Sequence, residues 1–405
     1  MTTTQISFLG RATAGQYREA NYRFPDGHVE TDAFFGLALG RVKRPERMVV
    51  LGTSGSMWDV FIEHFNPGAV AEEQRLALME AAQAGKVGPE MLQEMEPLVS
   101  EALGLECRLR LMPYGADEGE QQAILATLAE AVAPEERVVL DVTHGLRHLP
   151  MLGFLSALYL RSVRGNAIDG IYYGALDMTG QPPAEAGQTP VLRLEGLLDI
   201  ADWIQNLHLF DERGDFGAFA DSLSGAGLGD DAVEELRKGA FCERINDVGR
   251  ARGPLEKLGA ALDRASLQGP ASLFAEPLRR RLDWAGQGRL AERQAALAWF
   301  HLDHGDYLRA ATLGYEAFIT RQVPAGSDPM MWDVREAARE GFRRSGSPCL
   351  KAFNQLADLR NAMAHGSRAR SGDTQATLHD EEALEKCLSE LFTELELARV
   401  SPPPA

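Results

Sequence analysis

Short strand-like segments alternate with longer helical patterns over residues 1–195, and this alternation constrains the fold more than any other feature of the sequence. Five segments rich in Val, Ile, Leu and Tyr are predicted as strands: Gln5–Leu9, Arg47–Leu51, Leu105–Met112, Arg137–Val142 and Ala167–Tyr173. Helical patterns lie between them, for example Glu118–Val132 and Leu146–Val163. Such alternation predicts an α/β fold, in which helices cover both faces of a parallel sheet.

The strand pattern ends near residue 195, where the chain changes character. The Gly-, Pro- and Gln-rich segment Met178–Pro190 predicts an exposed hairpin tip before a last short strand, Val191–Leu194. From about Leu197 to about Val400 only helical periodicity is present. The sequence therefore predicts an α/β domain over residues 1–196 and an all-α region over residues 197–405.

The composition argues against several classes of protein. A net charge of −18 with only six Lys argues against a surface coated for non-specific nucleic-acid binding. Arg clusters at 279–293, 335–344 and 360–370 are compatible with a local basic groove or with ion-paired helix faces. No apolar run of about 18 residues predicts a membrane span, and the N-terminus lacks a signal-peptide pattern. Four widely spaced cysteines argue against a zinc site and favour the reducing cytoplasm.

Small, polar, glycine-bearing loops follow three of the predicted strands, at Gly10–Gly15, Gly52–Trp58 and Asp141–His148. Parallel sheets bind ligands at the carboxyl ends of their strands, and backbone N–H groups in such loops can approach a phosphate closely. The first loop is not a P-loop, because Gln16-Tyr17 follows it instead of Lys and Ser or Thr, and none matches a dinucleotide fingerprint. The loops predict a site for a polyanion in a protein that is neither an NAD enzyme nor a P-loop NTPase.

Six side chains in these loops are candidates for contact with phosphates or bases: Arg11, Ser54, Ser56, Thr143, His144 and Arg147. An alternative stays open for Asp141 and Thr143, which are also suited to capping the helix that follows. Trp58 and His148 are more typical of packing than of ligand contact.

Asp141-Val-Thr-His-Gly145, continued by Leu-Arg-His-Leu-Pro, resembles the signature of CRISPR-associated CARF-domain proteins of the DxTHG group. Ile6–Gly10, Asn21–Phe24, Thr31–Gly36 and Leu51–Asp59 are similar to the same family, in the same order. The resemblance implies a Rossmann-like homodimer that binds one cyclic oligoadenylate, with cyclic tetra-adenylate the expected ring, in a cleft shared by two protomers. It also implies these ligand-binding residues: Gly10, Arg11, Ser54, Gly55, Ser56, Met57, Asp141, Thr143, His144, Gly145 and Arg147.

A second motif lies near the end of the helical region, in Asp358-Leu-Arg-Asn-Ala-Met-Ala-His-Gly366. The spacing of Arg360 and His365 says little by itself, because Arg23 and His28 repeat it. Gly366 is typical of the residue that follows a helix C-terminus. A structural role therefore stays open, in which His365 stabilises the end of the helix.

Behind a CARF-like domain this segment resembles the HEPN ribonuclease motif, in which Asn361 matches the polar residue after the Arg. The resemblance implies that Arg360, Asn361 and His365 are catalytic. A His can act as base or acid and an Arg can grip the phosphate, while 2′-OH attack leaves a 2′,3′-cyclic phosphate without a metal. Residues five apart on a helix lie about 140° apart around its axis, which favours a composite site at a dimer interface.

Together these features predict a type III CRISPR ancillary endoribonuclease of the cytoplasm. The expected form is a homodimer or higher homo-oligomer that cleaves single-stranded RNA, with no metal, cofactor, DNA or membrane partner. An alternative is a non-catalytic cyclic-nucleotide sensor whose helical half is a dimerisation or partner-binding module. Cleavage of the ring by the N-terminal cleft also stays open. The sequence does not fix the ring size, the RNA preference or the activity without the ring.

Overall fold

The computed structural model describes residues 2–11, 17–65, 72–182, 184–286, 288–366 and 372–399. The chain divides into two compact units, Met1–Asp199 and Ile200–Ala405. Among the described residues, no helix is both long enough and apolar enough to span a membrane.

An eight-stranded sheet forms the centre of the first unit. Its strands are β1 (Thr3–Leu9), β2 (Ala20–Arg23), β3 (Val29–Asp32), β4 (Arg47–Gly52), β5 (Glu106–Leu111), β6 (Arg137–Asp141), β7 (Ala167–Gly174) and β8 (Gln188–Arg193). Their order across the sheet is β3-β2-β8-β7-β6-β1-β4-β5. All neighbouring pairs are parallel except β2–β3 and β7–β8. The predicted α/β fold with a largely parallel sheet is confirmed.

Helices cover both faces of this sheet. They are α1 (Phe35–Lys43), α2 (Trp58–Glu63), α3 (Glu72–Ala84), α4 (Pro89–Leu103), α5 (Glu118–Glu130) and α6 (Leu149–Arg164). Side chains alternate between the two faces along each strand. Ile6 and Phe8 of β1 enter the core that includes Ile124 of α5, whereas Leu9 enters a separate core with Trp58 of α2.

Local chemistry fixes the ends of several of these helices. The Asp117 side chain caps α5 by accepting a hydrogen bond from the backbone N–H of Glu120, at 2.9 Å. Pro150 occupies the first turn of α6, where no intrahelical N–H is lost. Gly104 and Gly165 end α4 and α6 with φ of 68° and 71°, a conformation that favours glycine.

Two strands in the first unit were not among the predicted elements. β2 and β3 form a short antiparallel ribbon that joins the sheet through β2 and β8. Each has only four residues, so neither is long enough to give a clear period-2 pattern. The predicted hairpin is present, because β7 and β8 pair antiparallel, although β8 begins at Gln188, earlier than Val191.

The second unit is built from helices, and no strand occurs in its described residues. The helices are α7 (Gly196–Arg213), which begins just before this unit, α8 (Ala220–Gly225), α9 (Asp230–Arg244), α10 (Val248–Arg264), α11 (Pro270–Leu282), α12 (Leu290–Asp303), α13 (Tyr307–Gln322), α14 (Trp332–Arg344), α15 (Leu350–Ala364), α16 (Gly372–Leu378) and α17 (Glu381–Glu394). Helix α13 is central, because it packs against α12, α14, α15 and α17. A Cβ on Gly314 would lie 2.4 Å from the Phe392 ring, so α13 and α17 approach closely only because that position is glycine.

Candidate functional site

The loops after β1, β4 and β6 meet at one edge of the sheet. β1 pairs in parallel with both β4 and β6, so the carboxyl ends of all three strands lie together. The backbone N–H of Met57 donates to the carbonyl of Gly10 at 3.0 Å. A Cβ on Gly10 would lie 2.4 Å from the backbone nitrogen of Gly145, so only glycine allows this approach. Residues 12–16 of the first predicted loop lie outside the described residues.

The loop after β4 is organised by the hydroxyl of Ser56. This Oγ donates to the Leu9 carbonyl at 2.7 Å and accepts a hydrogen bond from the Thr53 N–H at 2.9 Å. Trp58 is fully buried, and its indole N–H donates to the Thr53 carbonyl at 2.9 Å, which confirms its predicted place in the core. Ser56 was expected to contact the ligand, and in this structure its buried hydroxyl joins two loops. Met57 is buried as well.

Asp141 and Thr143 shape the loop after β6. Asp141 is completely buried, and its Oδ1 accepts a hydrogen bond from the Thr143 N–H at 2.8 Å. The Thr143 hydroxyl in turn accepts a hydrogen bond from the Gly174 N–H at 2.8 Å, which ties the loop to the end of β7. Burial raises the pKa of Asp141 to about 6. Asp141 and Thr143 accept hydrogen bonds from backbone N–H groups in the loop and in β7. They do not cap the helix that follows, because the N-cap of α6 is His148.

His144 lies inside the loop cluster. It is only 8% exposed, and its Nε2 accepts a hydrogen bond from the Phe35 N–H at 3.2 Å, at the start of α1. The Tyr17 ring packs edge-on against the imidazole, with centroids 4.8 Å apart. Burial lowers the pKa of His144 to about 4, so the ring is neutral at pH 7. This side chain was expected to meet a phosphate or base, and in this structure it holds the loop against α1.

Other residues of the three loops face solvent. Arg11, Gly145 and Arg147 are exposed, while Ser54 is half-buried and Gly55 is buried beside Tyr114. His148, predicted to pack against the helix Leu149–Leu160, is the N-cap of α6. It is exposed, and its Nε2 donates to the Tyr114 carbonyl at 2.6 Å.

A fourth loop belongs to this edge and was missed by the sequence reasoning. Tyr114 follows β5, and its hydroxyl lies 3.5 Å from Oγ of Ser54. That contact lowers the pKa of Tyr114. The Ser54 carbonyl accepts a hydrogen bond from the Val87 N–H at 3.2 Å, which brings the segment that carries the exposed Lys86 to the site. The rule that located the other loops also applies to Pro113-Tyr114-Gly115, because it follows the predicted strand Leu105–Met112.

A comparison with known families identifies the domain that contains these loops. Residues 4–177 match the family model described as "CRISPR system endoribonuclease Csx1, CARF domain". This region is a CARF domain. The match confirms, for residues 4–177, the resemblance inferred from Asp141–Gly145.

One curated relative and one solved structure match over most of the chain. CRISPR-associated protein MJ1674 of Methanocaldococcus jannaschii is 22% identical over 391 residues, which cover 88% of this chain and 60% of that protein. The chain thus spans about three-fifths of the length of this curated relative. A solved structure of Enterococcus italicus Csm6 bound to cyclic hexa-2′-fluoro-hexa-dAMP is 11% identical, with a TM-score of 0.39, and the match covers 98% of this chain and 94% of that one.

In the helical unit, Arg360 lies in the last turns of α15 and is held by three neighbours. Its guanidinium donates to Oδ1 of Asn361, with Nη2 at 2.8 Å. Its Nη1 lies 3.8 Å from Oε1 of Glu316 on α13. Its Cζ also lies 4.2 Å from the centre of the Tyr315 ring, within the range of a cation–π contact. Arg360 and Asn361 are therefore brought together, and Glu316 is a further partner that the motif did not indicate.

His365 ends α15. It is exposed, and its backbone N–H closes the helix on the Asn361 carbonyl at 3.1 Å. Gly366 follows with φ of 69°, as predicted for the residue after the C-cap. Among the described residues no side-chain hydrogen bond joins His365 to Arg360, which agrees with the angular separation expected from their spacing.

The Arg clusters of the second unit are largely ion-paired. Arg281 is buried against Glu243, Arg335 contacts Glu316, and Arg339 contacts Glu336. These pairs match the interpretation of ion-paired helix faces at 279–293 and 335–344. Residues 367–371 of the third cluster lie outside the described residues.

Proposed function

We propose that this chain is a type III CRISPR ancillary ribonuclease, in which cyclic oligoadenylate bound to the CARF domain activates RNA cleavage by a HEPN domain. The proposed sensor occupies residues 1–196, and the helical region 197–405 ends in the nuclease. The observation that carries the proposal is the CARF-family match over residues 4–177, in a chain whose helical unit presents Arg360, Asn361 and His365 at the end of α15.

The exposed groups at the sheet edge suit a cyclic oligoadenylate. Arg11, Arg147 and Lys86 are exposed cations that can meet phosphates. Tyr114 is 42% exposed, which leaves its ring available to stack on a base, and Ser54 offers a hydroxyl beside it. The buried residues Ser56, Asp141 and His144 and the half-buried Thr143 hold the loops, so that the backbone around Gly10 and Gly145 keeps its shape.

An apolar stripe on α6 supports a symmetric dimer. Met151, Leu155 and Val163 are 70%, 56% and 65% exposed, and the spacing of four and eight residues places them along one side of the helix. Helix α6 begins directly after the Asp141–His148 loop. A second copy of the chain that covers this stripe would therefore bring its Asp141–His148 loop close to that of the first copy. A cyclic oligoadenylate on the two-fold axis would then contact the same residues of both protomers.

The proposed chemistry is attack of the 2′-OH on the adjacent phosphate. His365 acts as base or acid in proton transfer, and Arg360 stabilises the negative charge on the phosphorane. Asn361 orients Arg360 through the hydrogen bond at 2.8 Å. Two copies of this helix end around one groove would supply both a base and an acid, which a single His365 cannot provide in one step.

One observation favours the second candidate, a sensor with a non-catalytic helical module. Arg360 is stacked on Tyr315 and lies near Glu316, and contacts of this kind also suit a purely structural arginine. In that case Arg360 would stabilise the packing of α15 on α13, and His365 would stabilise the end of its helix.

RNA cleavage by wild type and by His365→Ala separates the two candidates. The purified full chain is incubated with labelled single-stranded RNA and cyclic tetra-adenylate, and ring binding is measured on the same samples. The proposal predicts that cleavage falls at least about 100-fold in His365→Ala, with ring binding retained. Ring binding without RNA cleavage by the wild type would instead favour the non-catalytic module.

A further inference from the structure

A cavity in the helical unit is not used by the proposed chemistry. Its volume is about 670 Å³, within the usual size range of small-molecule sites. It lies between the C-terminal ends of α7 and α9 and the turn that joins α12 to α13, and Met363 of α15 also lines it. Met363 comes two residues before His365, so the cavity reaches the helix that carries the proposed nuclease motif.

A buried carboxylate in the wall has unused hydrogen-bonding capacity. Glu243 lines the cavity, and its side chain is only 6% exposed. Its Oε1 is paired with Arg281, whereas its Oε2 has no hydrogen-bond partner among the described residues. Oε2 is closed off from the cavity, as is the equally unpartnered Nη1 of Arg281, so this buried ion pair shapes the wall and leaves ligand contact to the groups around it.

Two exposed arginines line the cavity, one without an ion-pair partner among the described residues and one in an exposed ion pair. Arg213 ends α7 and is exposed, and it forms no ion pair with any residue that the structure describes. Arg244 ends α9 with its side chain 59% exposed, and its nearest carboxylate is Asp215, at 3.6 Å. Arg309, deeper in the wall, is already used, because it donates to the Glu243 carbonyl at 2.7 Å and to Asn246 at 3.3 Å. A phosphate at the rim would therefore be held by Arg213 and Arg244.

The wall between these groups carries flat side chains. The His304 ring lies 4.0 Å from the Phe300 ring, tilted by 32°, and its Nδ1 donates to the Phe300 carbonyl at 2.6 Å. Tyr307 is held by a hydrogen bond from its hydroxyl to Glu381 at 3.0 Å. Both rings are fixed in place and line the cavity, so a planar base can stack there with little loss of side-chain freedom.

We propose that this cavity binds one nucleotide, with its base against the rings of His304 and Tyr307 and its phosphate toward Arg213 and Arg244. This inference rests on the proposed function, because the nucleotide is taken to be one unit of the RNA substrate, positioned beside the end of α15. A free mononucleotide has the same chemistry, so the experiment treats the two sources separately.

Binding is measured on the full chain in the His365→Ala background, which keeps the RNA intact. The probes are a fluorescein-labelled single-stranded RNA 12-mer, 5′-AMP, 5′-GMP and ribose 5-phosphate. The test variant is Arg213→Ala/Arg244→Ala. Arg237→Ala is the matched control, because Arg237 is exposed on the same helix as Arg244 but pairs with Asp221 outside the cavity. These rim positions avoid the buried Glu243–Arg281 pair, whose loss would unfold the site.

The proposal predicts that the double variant weakens RNA binding at least about tenfold, while Arg237→Ala stays within about twofold of the parent. The mononucleotides should compete better than ribose 5-phosphate, which lacks the base.

Loss of RNA binding alone in the double variant assigns the cavity to the RNA substrate, and loss of mononucleotide binding alone assigns it to a free nucleotide. If the double variant binds every probe as the parent does, the proposal is overturned. If wild type cleaves no RNA but its mononucleotide binding depends on Arg213 and Arg244, the cavity stands and the proposed function fails.

Discussion

Nη1 of Arg360 lies 3.8 Å from Oε1 of Glu316, so a carboxylate on α13 faces the guanidinium expected to act on phosphate. Glu316 also contacts Arg335 of α14, and its position links three helices. A catalytic arginine needs a fixed orientation, and a carboxylate neighbour supplies one at the cost of some positive charge. Glu316 is therefore expected to be a positioning residue for the proposed cleavage.

Glu316→Gln should lower RNA cleavage about tenfold, because the amide keeps a hydrogen-bond acceptor but loses the charge that fixes Arg360. The loss should appear in kcat more than in KM, which steady-state cleavage of a labelled RNA measures. Glu336→Gln is the matched control, since Glu336 pairs with Arg339 on α14 and has no contact with Arg360 among the described residues. Equal cleavage rates for wild type and Glu316→Gln would show that Glu316 does not position Arg360.

Ser54 and Ser56 lie two residues apart in one loop but should respond differently to alanine. Ser56→Ala leaves the buried Thr53 N–H and the Leu9 carbonyl without their partner, and should cost about 1–3 kcal/mol of unfolding free energy. Ser54→Ala removes only the long contact with Tyr114, at 3.5 Å, so its stability should change by less than about 0.5 kcal/mol. Urea unfolding of both variants measures the difference. The opposite ranking would show that the loop is not organised by Ser56.

Asp141 should make the CARF domain lose stability as pH rises. Its pKa is about 6 in the folded chain, above the usual value near 4, so the folded state holds the proton more tightly than the unfolded state. The penalty begins above about pH 4 and is complete above about pH 6, where it is on the order of 3 kcal/mol. Asp141→Asn keeps the acceptor for the Thr143 N–H and removes this titration. The free-energy difference between variant and wild type should therefore grow from pH 4 to pH 6, and a flat difference would contradict the assignment.

His144 should act in the opposite direction over an overlapping range. Its pKa is lowered to about 4, so the unfolded state takes up a proton first as pH falls below about 6.5. The stability that depends on neutral His144 is therefore lost as pH falls from about 6.5 to about 4. His144→Gln removes this titration and can still accept from the Phe35 N–H. The free energy of unfolding of wild type, relative to that of the variant, should fall as pH is lowered through that range. Buried His301 contributes equally to both proteins, so its contribution cancels in the difference.

The sequence was sufficient for the features that depend on local pattern. Strand–helix alternation predicted the sheet, the rule of carboxyl strand ends located the loops after β1, β4 and β6, and Gly366 predicted the end of α15. Local pattern could not show that Ser56 and His144 turn inward, because their partners Leu9 and Phe35 lie 47 and 109 residues away. Glu316 was missed for the same reason, since its contact with Arg360 depends on how α15 packs against α13.

The central claim is that the ring controls the nuclease. The most direct measurement is the rate of single-stranded RNA cleavage by the wild-type full chain, with and without cyclic tetra-adenylate, alongside cyclic tri- and hexa-adenylate. The account predicts that one ring raises the rate at least about tenfold, as expected for a coupling free energy above about 1.4 kcal/mol. Arg360→Ala should abolish the stimulated rate. Cleavage that is equally fast without any ring, or absent with all three, would contradict the account.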